Sequence, residues 1–291
     1  MVMRTSLDTS WRDWLILNLR RGCAHSSLIA DMVREGYEPE FTRSIVAQLA
    51  NDATAQPQQS PAEPEAAAVP PGFTYEPSRL AGTNTIQTSD REVRVIARIT
   101  KPDVIVFSNL LCPEECDELV RLSRPKIERS KTVDPQTGES VVYDHRTSKG
   151  TFFQLNQTDF IARLDRRLAE VTNWPVENGE GMQIINYGVG AEYRPHFDYF
   201  PPNSPGSKKI LMQGGQRIAT LIVYLNDVED GGATIFPEIG LSILPRKGQA
   251  VYFSYFNSLG QVNPMTLHGG TPVIKGEKWI ATRWMRQRPP V

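Results

Sequence analysis

The stretch EYRPHFDYF, residues 192–200, decides how the chain is to be read. Aromatic and polar residues alternate along it, and in an extended strand residues two apart point to the same face. His196 and Asp198 are two apart, so the pattern predicts a strand that projects an imidazole and a carboxylate together. A His-x-Asp triplet alone is a weak signal, because a strand histidine more often has a structural role. The chain on either side of it supplies the weight.

Around this stretch strand signals dominate: MQIINYG (182–188), IATLIVYLND (218–227), QAVYFSYF (249–256) and KWIATRWM (278–285) are separated by Gly, Pro and Asn clusters. Two helices precede most of them. PDVIVFSNLLCPEECDELVRLSR (102–124) reads as a strand followed by a helix, with Pro113 and two glutamates in the first turn suiting the helix dipole. NQTDFIARLDRRLAEVTNW (156–174) reads as a second helix. Short strands after flanking helices predict an α+β fold whose core is two packed sheets, a β-sandwich or jelly roll enclosing a pocket.

Further upstream, SWRDWLILNL (10–19), SSLIADMVREG (26–36) and EPEFTRSIVAQLA (38–50) carry apolar residues at helical spacing, which predicts a small N-terminal helical module over residues 1–50. Residues 51–72 are rich in Ala, Pro and Gln without an apolar face and read as a linker, leaving 73–291 as the main domain.

Bulk properties exclude more than they select. The chain has 291 residues, with 32 Lys and Arg against 33 Asp and Glu, so nothing points to nucleic acid. No apolar run approaches the roughly 20 residues of a membrane span. The amino terminus lacks the basic and apolar pattern of a secretion signal, so the expected compartment is the cytoplasm. Cys23, Cys112 and Cys116 are too few and too poorly spaced for a disulfide framework or a zinc site.

The chemistry is expected where EYRPHFDYF meets LHGGTPVIKGEKWIATRW (267–284), which supplies His268 and, ten residues later, Lys278. Two histidines and one carboxylate can take one face of an octahedral metal and leave positions for a bidentate cosubstrate and dioxygen, a set that suits non-heme Fe(II). A structural zinc would call for a fourth protein ligand. The other histidines, His25 and His145, fall in the helical module and in a polar loop.

YGVGAEYRPHFDYF, GGQRIATLIVYLNDVEDGGATIFP and HGGTPVIKGEKWIATRW occur in the order found in 2-oxoglutarate- and Fe(II)-dependent prolyl 4-hydroxylases, and VIVFSNLLCPEECDELV and RTSKGTFF are similar to the earlier part of that catalytic domain. The resemblance covers about residues 103–285 and implies a double-stranded β-helix, or jelly-roll, core. It implies that His196, Asp198 and His268 bind iron and that Lys278, aided by Tyr187 and Thr234, holds the distal carboxylate of 2-oxoglutarate. A buried ammonium there compensates a buried carboxylate. Tyr193, Arg217 and Trp284 match positions on the peptide-facing side; wall packing by the aromatics and an internal salt bridge for Arg217 are the alternative.

Gly231 and Gly232 are expected to shape the turn before Thr234. Arg286 stands where the family often carries a histidine. Fe(II), 2-oxoglutarate and dioxygen are the implied cofactor and cosubstrates, ascorbate the implied reductant, and a proline-containing peptide or protein the implied partner. The same machinery on another side chain or small molecule is the alternative within the enzyme class, and a peptide-binding or oxygen-sensing protein with decayed catalysis the alternative outside it. Two polar stretches, 132–148 and 201–217, read as mobile loops flanking the substrate entrance. Arg146, in the first, is expected to serve a structural hydrogen-bonding role.

Overall fold

The computed structural model describes residues 3–20, 24–55, 72–130, 132–133, 140–141, 146–202 and 204–290. The chain divides into two compact units, Met1–Glu65 and Ala66–Val291. In the first, helices α1 (Thr9–Arg20), α2 (His25–Arg34) and α3 (Pro39–Ala55) bury Leu15, Leu28, Met32, Tyr37, Val46 and Leu49 against one another. α3 runs past residue 50 to Ala55, and Val33 on α2 is exposed. Within the expected linker, residues 56–71 lie outside the described set, as do Cys23 and His145.

The second unit is built on a nine-stranded sheet whose described pairings are all antiparallel. Its centre is the strand Arg217–Tyr224, flanked by Ala250–Ser254 and Lys278–Arg286, with Met182–Tyr187 beyond the latter. Side chains alternate between two cores, as the pleat requires. Ile105, Ile184, Leu221, Val223 and Ala281 point to one face, where they pack on α4 (Pro113–Ser123) and α5 (Asp159–Thr172) through Leu119, Ile161, Leu164 and Leu168. Ile185, Ile222, Tyr224, Val251 and Ile280 point to the other, toward Phe236 and Ile243 of a four-stranded sheet. Covered on both faces, Arg217–Tyr224 reads as a nearly unbroken apolar run.

α4 starts where expected because Pro113 sits in its first turn and the Glu115 side chain caps the backbone N–H of Cys112. α5 is capped by the Thr158 hydroxyl and ends at Asn173 in the left-handed conformation. Cys116 is buried in the core and Cys112 half-buried, both as free thiols.

The small sheet runs Leu241–Ile243, Thr234–Phe236, His268–Gly270, Tyr193–His196. The last is an edge strand, which is why it tolerates Pro195. It stops at His196, so Asp198 lies just past its end rather than within it, a departure from the strand expected over 192–200. The stretch 201–217, expected as a loop, holds a short helix, α6 (Pro205–Met212): Pro205 occupies its first turn with φ already helical, and the residues behind it tolerate helix. Most of 132–148 lies outside the described residues.

Candidate active site

His268 and His196 are direct partners in the antiparallel register of the small sheet, which brings their rings to 4.4 Å between centroids. The turn after His196 carries Asp198 back to them: Asp198 Oδ1 lies 3.6 Å from His196 Nε2 and Oδ2 3.4 Å from His268 Nε2. The three donor atoms lie within 4.8 Å of one another. Each imidazole has its far nitrogen against a backbone carbonyl, His196 Nδ1 at 2.8 Å from Arg194 O and His268 Nδ1 at 3.1 Å from Thr266 O. With Nδ1–H donating, both Nε2 lone pairs face the carboxylate, the tautomer a metal requires.

The electrostatics agree with that donor set. Burial, reinforced by the neighbouring His268, pushes His196 down to about 4, so it is neutral at ordinary pH. Burial alone would raise Asp198, but its interactions with His268 and His196 outweigh that and hold the carboxyl well below its usual range. Two imidazoles and one carboxylate with convergent donor atoms fit a divalent ion of the iron group.

On the large sheet, Lys278 pairs in register with Tyr187 and points inward with Ile280, Thr282 and Trp284. It is 3 % exposed, and among the described residues no carboxylate is within ion-pair distance of its ammonium. Burial pushes it down to about 7. Tyr187 is buried beside it, 5.5 Å from ring centroid to Nζ, and burial pushes that phenol up to about 12. Thr234 accepts a hydrogen bond from Tyr224 Oη at 2.9 Å, which leaves its own hydroxyl proton to donate. Gly231, before it, has φ +73° and a position where a Cβ would meet Pro272 O at 2.3 Å, so the turn requires glycine.

His196, Asp198, His268, Lys278, Tyr187 and Thr234 line one cleft of about 420 Å³ together with Tyr193 and Trp284. The ring of Tyr193 stacks on His196 at 3.5 Å, and the guanidinium of Arg146 lies over the Tyr193 ring at 4.8 Å from its centroid. Arg146 donates to Ser148 Oγ and Gln183 Oε1, both at 3.2 Å.

Arg217 is the exception among the expected site residues, since it does not line the cleft. It makes a bidentate pair with Glu180, 2.7 Å at each oxygen, donates from Nη1 to Asp198 O at 3.2 Å, and stacks over Trp284 at 4.0 Å. Three of its five N–H groups are used in this way. Arg286 shares Glu180 at 3.1 Å and donates to Ile210 O and Gly215 O, fastening the end of α6. Glu180, Thr220 and Tyr224 were not legible as site residues: one sits in a turn and two in an apolar strand, with no local pattern to mark them.

Residues 182–286 match the family model of the 2OG-Fe(II) oxygenase superfamily. The chain is 39 % identical over 214 residues to a probable prolyl 4-hydroxylase 8 of Arabidopsis thaliana, covering 67 % of this chain and 71 % of that protein. It is 35 % identical over 188 residues to prolyl 4-hydroxylase subunit alpha-1 of Gallus gallus, covering 65 % of this chain and 36 % of that one. Among solved structures it resembles the viral collagen prolyl hydroxylase of Paramecium Bursaria Chlorella virus-1 in its 2OG complex, with 28 % identity, a TM-score of 0.50, and coverage of 63 % of this chain and 95 % of the other.

Proposed function

The chain belongs to the prolyl 4-hydroxylase family of 2-oxoglutarate- and Fe(II)-dependent dioxygenases, and from that premise we propose that it hydroxylates a prolyl residue of a peptide or protein at the 4-position, releasing succinate and CO2. The observation that carries this reading is the pairing, in one cleft, of a convergent His196, Asp198, His268 donor set with a buried Lys278 ammonium. Iron, when bound there, supplies the activation of dioxygen that couples 2-oxoglutarate decarboxylation to C–H hydroxylation. His196 and His268 would hold it through Nε2, and Asp198 through its carboxylate.

Lys278 receives the distal carboxylate of 2-oxoglutarate, with hydroxyl donors from Tyr187 and Thr234 beside it. Trp284, about 20 Å along the same strand by its rise per residue, belongs to the substrate end of the cleft. There Tyr193 and Trp284 offer flat apolar walls to a proline ring, and Arg217, outside the cleft lining and paired with Glu180, stacks behind Trp284. Ascorbate serves as the reductant that keeps iron ferrous. The chemistry is assigned to residues 73–291, separate from the helical module of residues 1–50. The cytoplasm is the compartment we assign, in keeping with two free thiols among the described residues. No described helix is long and apolar enough to cross a membrane.

The test is succinate release from 2-oxoglutarate with Fe(II), ascorbate and oxygen, with and without proline-containing peptides, followed by mass analysis of the peptides. Peptide-stimulated succinate with one oxygen added on proline is expected, and Asp198→Ala should abolish both. Turnover that no prolyl peptide stimulates would remove the substrate assignment, and full activity of Asp198→Ala would remove the site.

A further inference from the structure

The Asp198 side chain is bonded by Thr220, which in turn is bonded by Tyr255. Thr220, on the central strand Arg217–Tyr224, lies 2.7 Å through Oγ1 from Asp198 Oδ2. Tyr255, just past the strand Ala250–Ser254, brings its hydroxyl to 3.0 Å from the same Thr220 oxygen. Both are at most 1 % exposed, so water does not compete for these bonds. The direction of the chain follows from proton count. An ionised carboxylate only accepts, so the single proton of Thr220 goes to Oδ2, and the Tyr255 hydroxyl must donate to Thr220. The order is Tyr255 O–H to Thr220 O–H to Asp198 Oδ2, a run in which each bond polarises the next.

We propose that Thr220, oriented by Tyr255, is the positioning residue that keeps Asp198 bound to the metal through one oxygen only. Both oxygens face the imidazoles, but Oδ2 already accepts from Thr220, so Oδ1, 3.6 Å from His196 Nε2, is the oxygen with its lone pairs left for a metal. A carboxylate that chelated through both oxygens would take one more of the positions that a bidentate cosubstrate and dioxygen need. The backbone side is fixed as well, since Arg217 donates to Asp198 O and the Gln216 amide bonds both the N–H and the carbonyl of Phe200 at 2.8 Å. The side-chain torsion of Asp198 is what these backbone contacts leave open, and Thr220 closes it. Partners that orient a ligating carboxylate typically change metal affinity when removed.

The inference rests on the metal-site reading above, and the experiment separates the two. The full chain, stripped of metal, is titrated with Co(II) by calorimetry as wild type, His196→Ala, Thr220→Val, Thr220→Ser and Tyr255→Phe, with Tm of each metal-free protein measured alongside. Thr220→Val, nearly isosteric, is expected to bind Co(II) about 10-fold or more weakly at an unchanged metal-free Tm. Thr220→Ser should restore binding, and Tyr255→Phe should weaken it by a few-fold, about half the logarithmic effect of the valine. Wild-type affinity in Thr220→Val overturns the proposal. If the valine variant does not fold, wild-type affinity in Tyr255→Phe overturns the relay in its place. A wild type that binds no Co(II), or a His196→Ala that binds it equally well, removes the metal-site reading itself.

Discussion

The two ends of the strand Lys278–Arg286 treat buried cations in opposite ways. At the far end Arg283 and Arg286 are 4 % and 5 % exposed and fully partnered, the first with Asp165, the second with Glu180, which also takes Arg217. At the near end Lys278 is equally buried, yet among the described residues no carboxylate meets it. A protein can hold a buried charge either by pairing it internally or by leaving its partner to arrive with a ligand. Arg283 and Arg286 are held by internal pairs, whereas Lys278 is left with the arrangement that the proposed 2-oxoglutarate site requires.

The sharpest way to break that comparison is to remove the shared anion. Glu180→Ala leaves Arg217 and Arg286 facing each other without compensation, and unpairing a buried ion typically costs about 3 kcal/mol or more. Tm should fall by roughly 10 °C, read by calorimetry on the metal-free protein. A drop of a degree or less would mean that the arginine end is not held by its pairs. Lys278→Met asks the reverse question. It removes a buried charge with no internal partner, so Tm should hold or rise, while 2-oxoglutarate affinity falls by about 1.5–3 kcal/mol, the worth of a charge-assisted bond. Isothermal titration in the presence of Mn(II) reads the loss, and a stability loss without an affinity loss would make Lys278 a structural residue.

The same contrast explains what could be read before the structure and what could not. α4, α5 and the strands Met182–Tyr187, Arg217–Tyr224, Ala250–Ser254 and Lys278–Arg286 announce themselves because burial writes a period into the residues they carry. His196, Asp198, His268 and Lys278 stand out because their chemistry is rare in such strands and their order resembles a known family. The partners do not stand out. Glu180 meets Arg217 and Arg286 across 37 and 106 residues, and Thr220 meets Asp198 across 22, so no window of sequence contains both halves of any of these bonds. α6 was missed for a local reason: Pro205, Gly206 and Ser207 read as loop, although proline in a first helical turn is a start signal. Arg217 was read as a peptide contact or an internal ion pair, and the geometry supplies the pair.

The smallest effect is the most diagnostic of an unpartnered lysine, because its sign is fixed. Burial sets Lys278 at about 7 in the free protein, against 10.5 for an ordinary lysine. Below pH 7 the free protein already carries the ammonium and the lysine adds no pH dependence to binding. Above it the free protein carries a neutral amine, and a bound carboxylate restores the charge, so binding must take up a proton. The affinity for 2-oxoglutarate should therefore fall about tenfold per pH unit from pH 7 upward, equal to about 1.4 kcal/mol each. Titrations in buffers of different ionisation enthalpy count the proton directly. The metal-free protein obeys the same linkage: Lys278 binds fewer protons folded than unfolded between pH 7 and 10.5, so its penalty is full below that window and absent above it. Metal binding at His196 runs the other way, strengthening as pH rises through about 4, so the two ends of the site titrate in opposite directions and far apart. In Lys278→Met the alkaline slope should vanish while the acidic one persists. An alkaline slope that survives the substitution would assign it to another group and leave Lys278 without its anion.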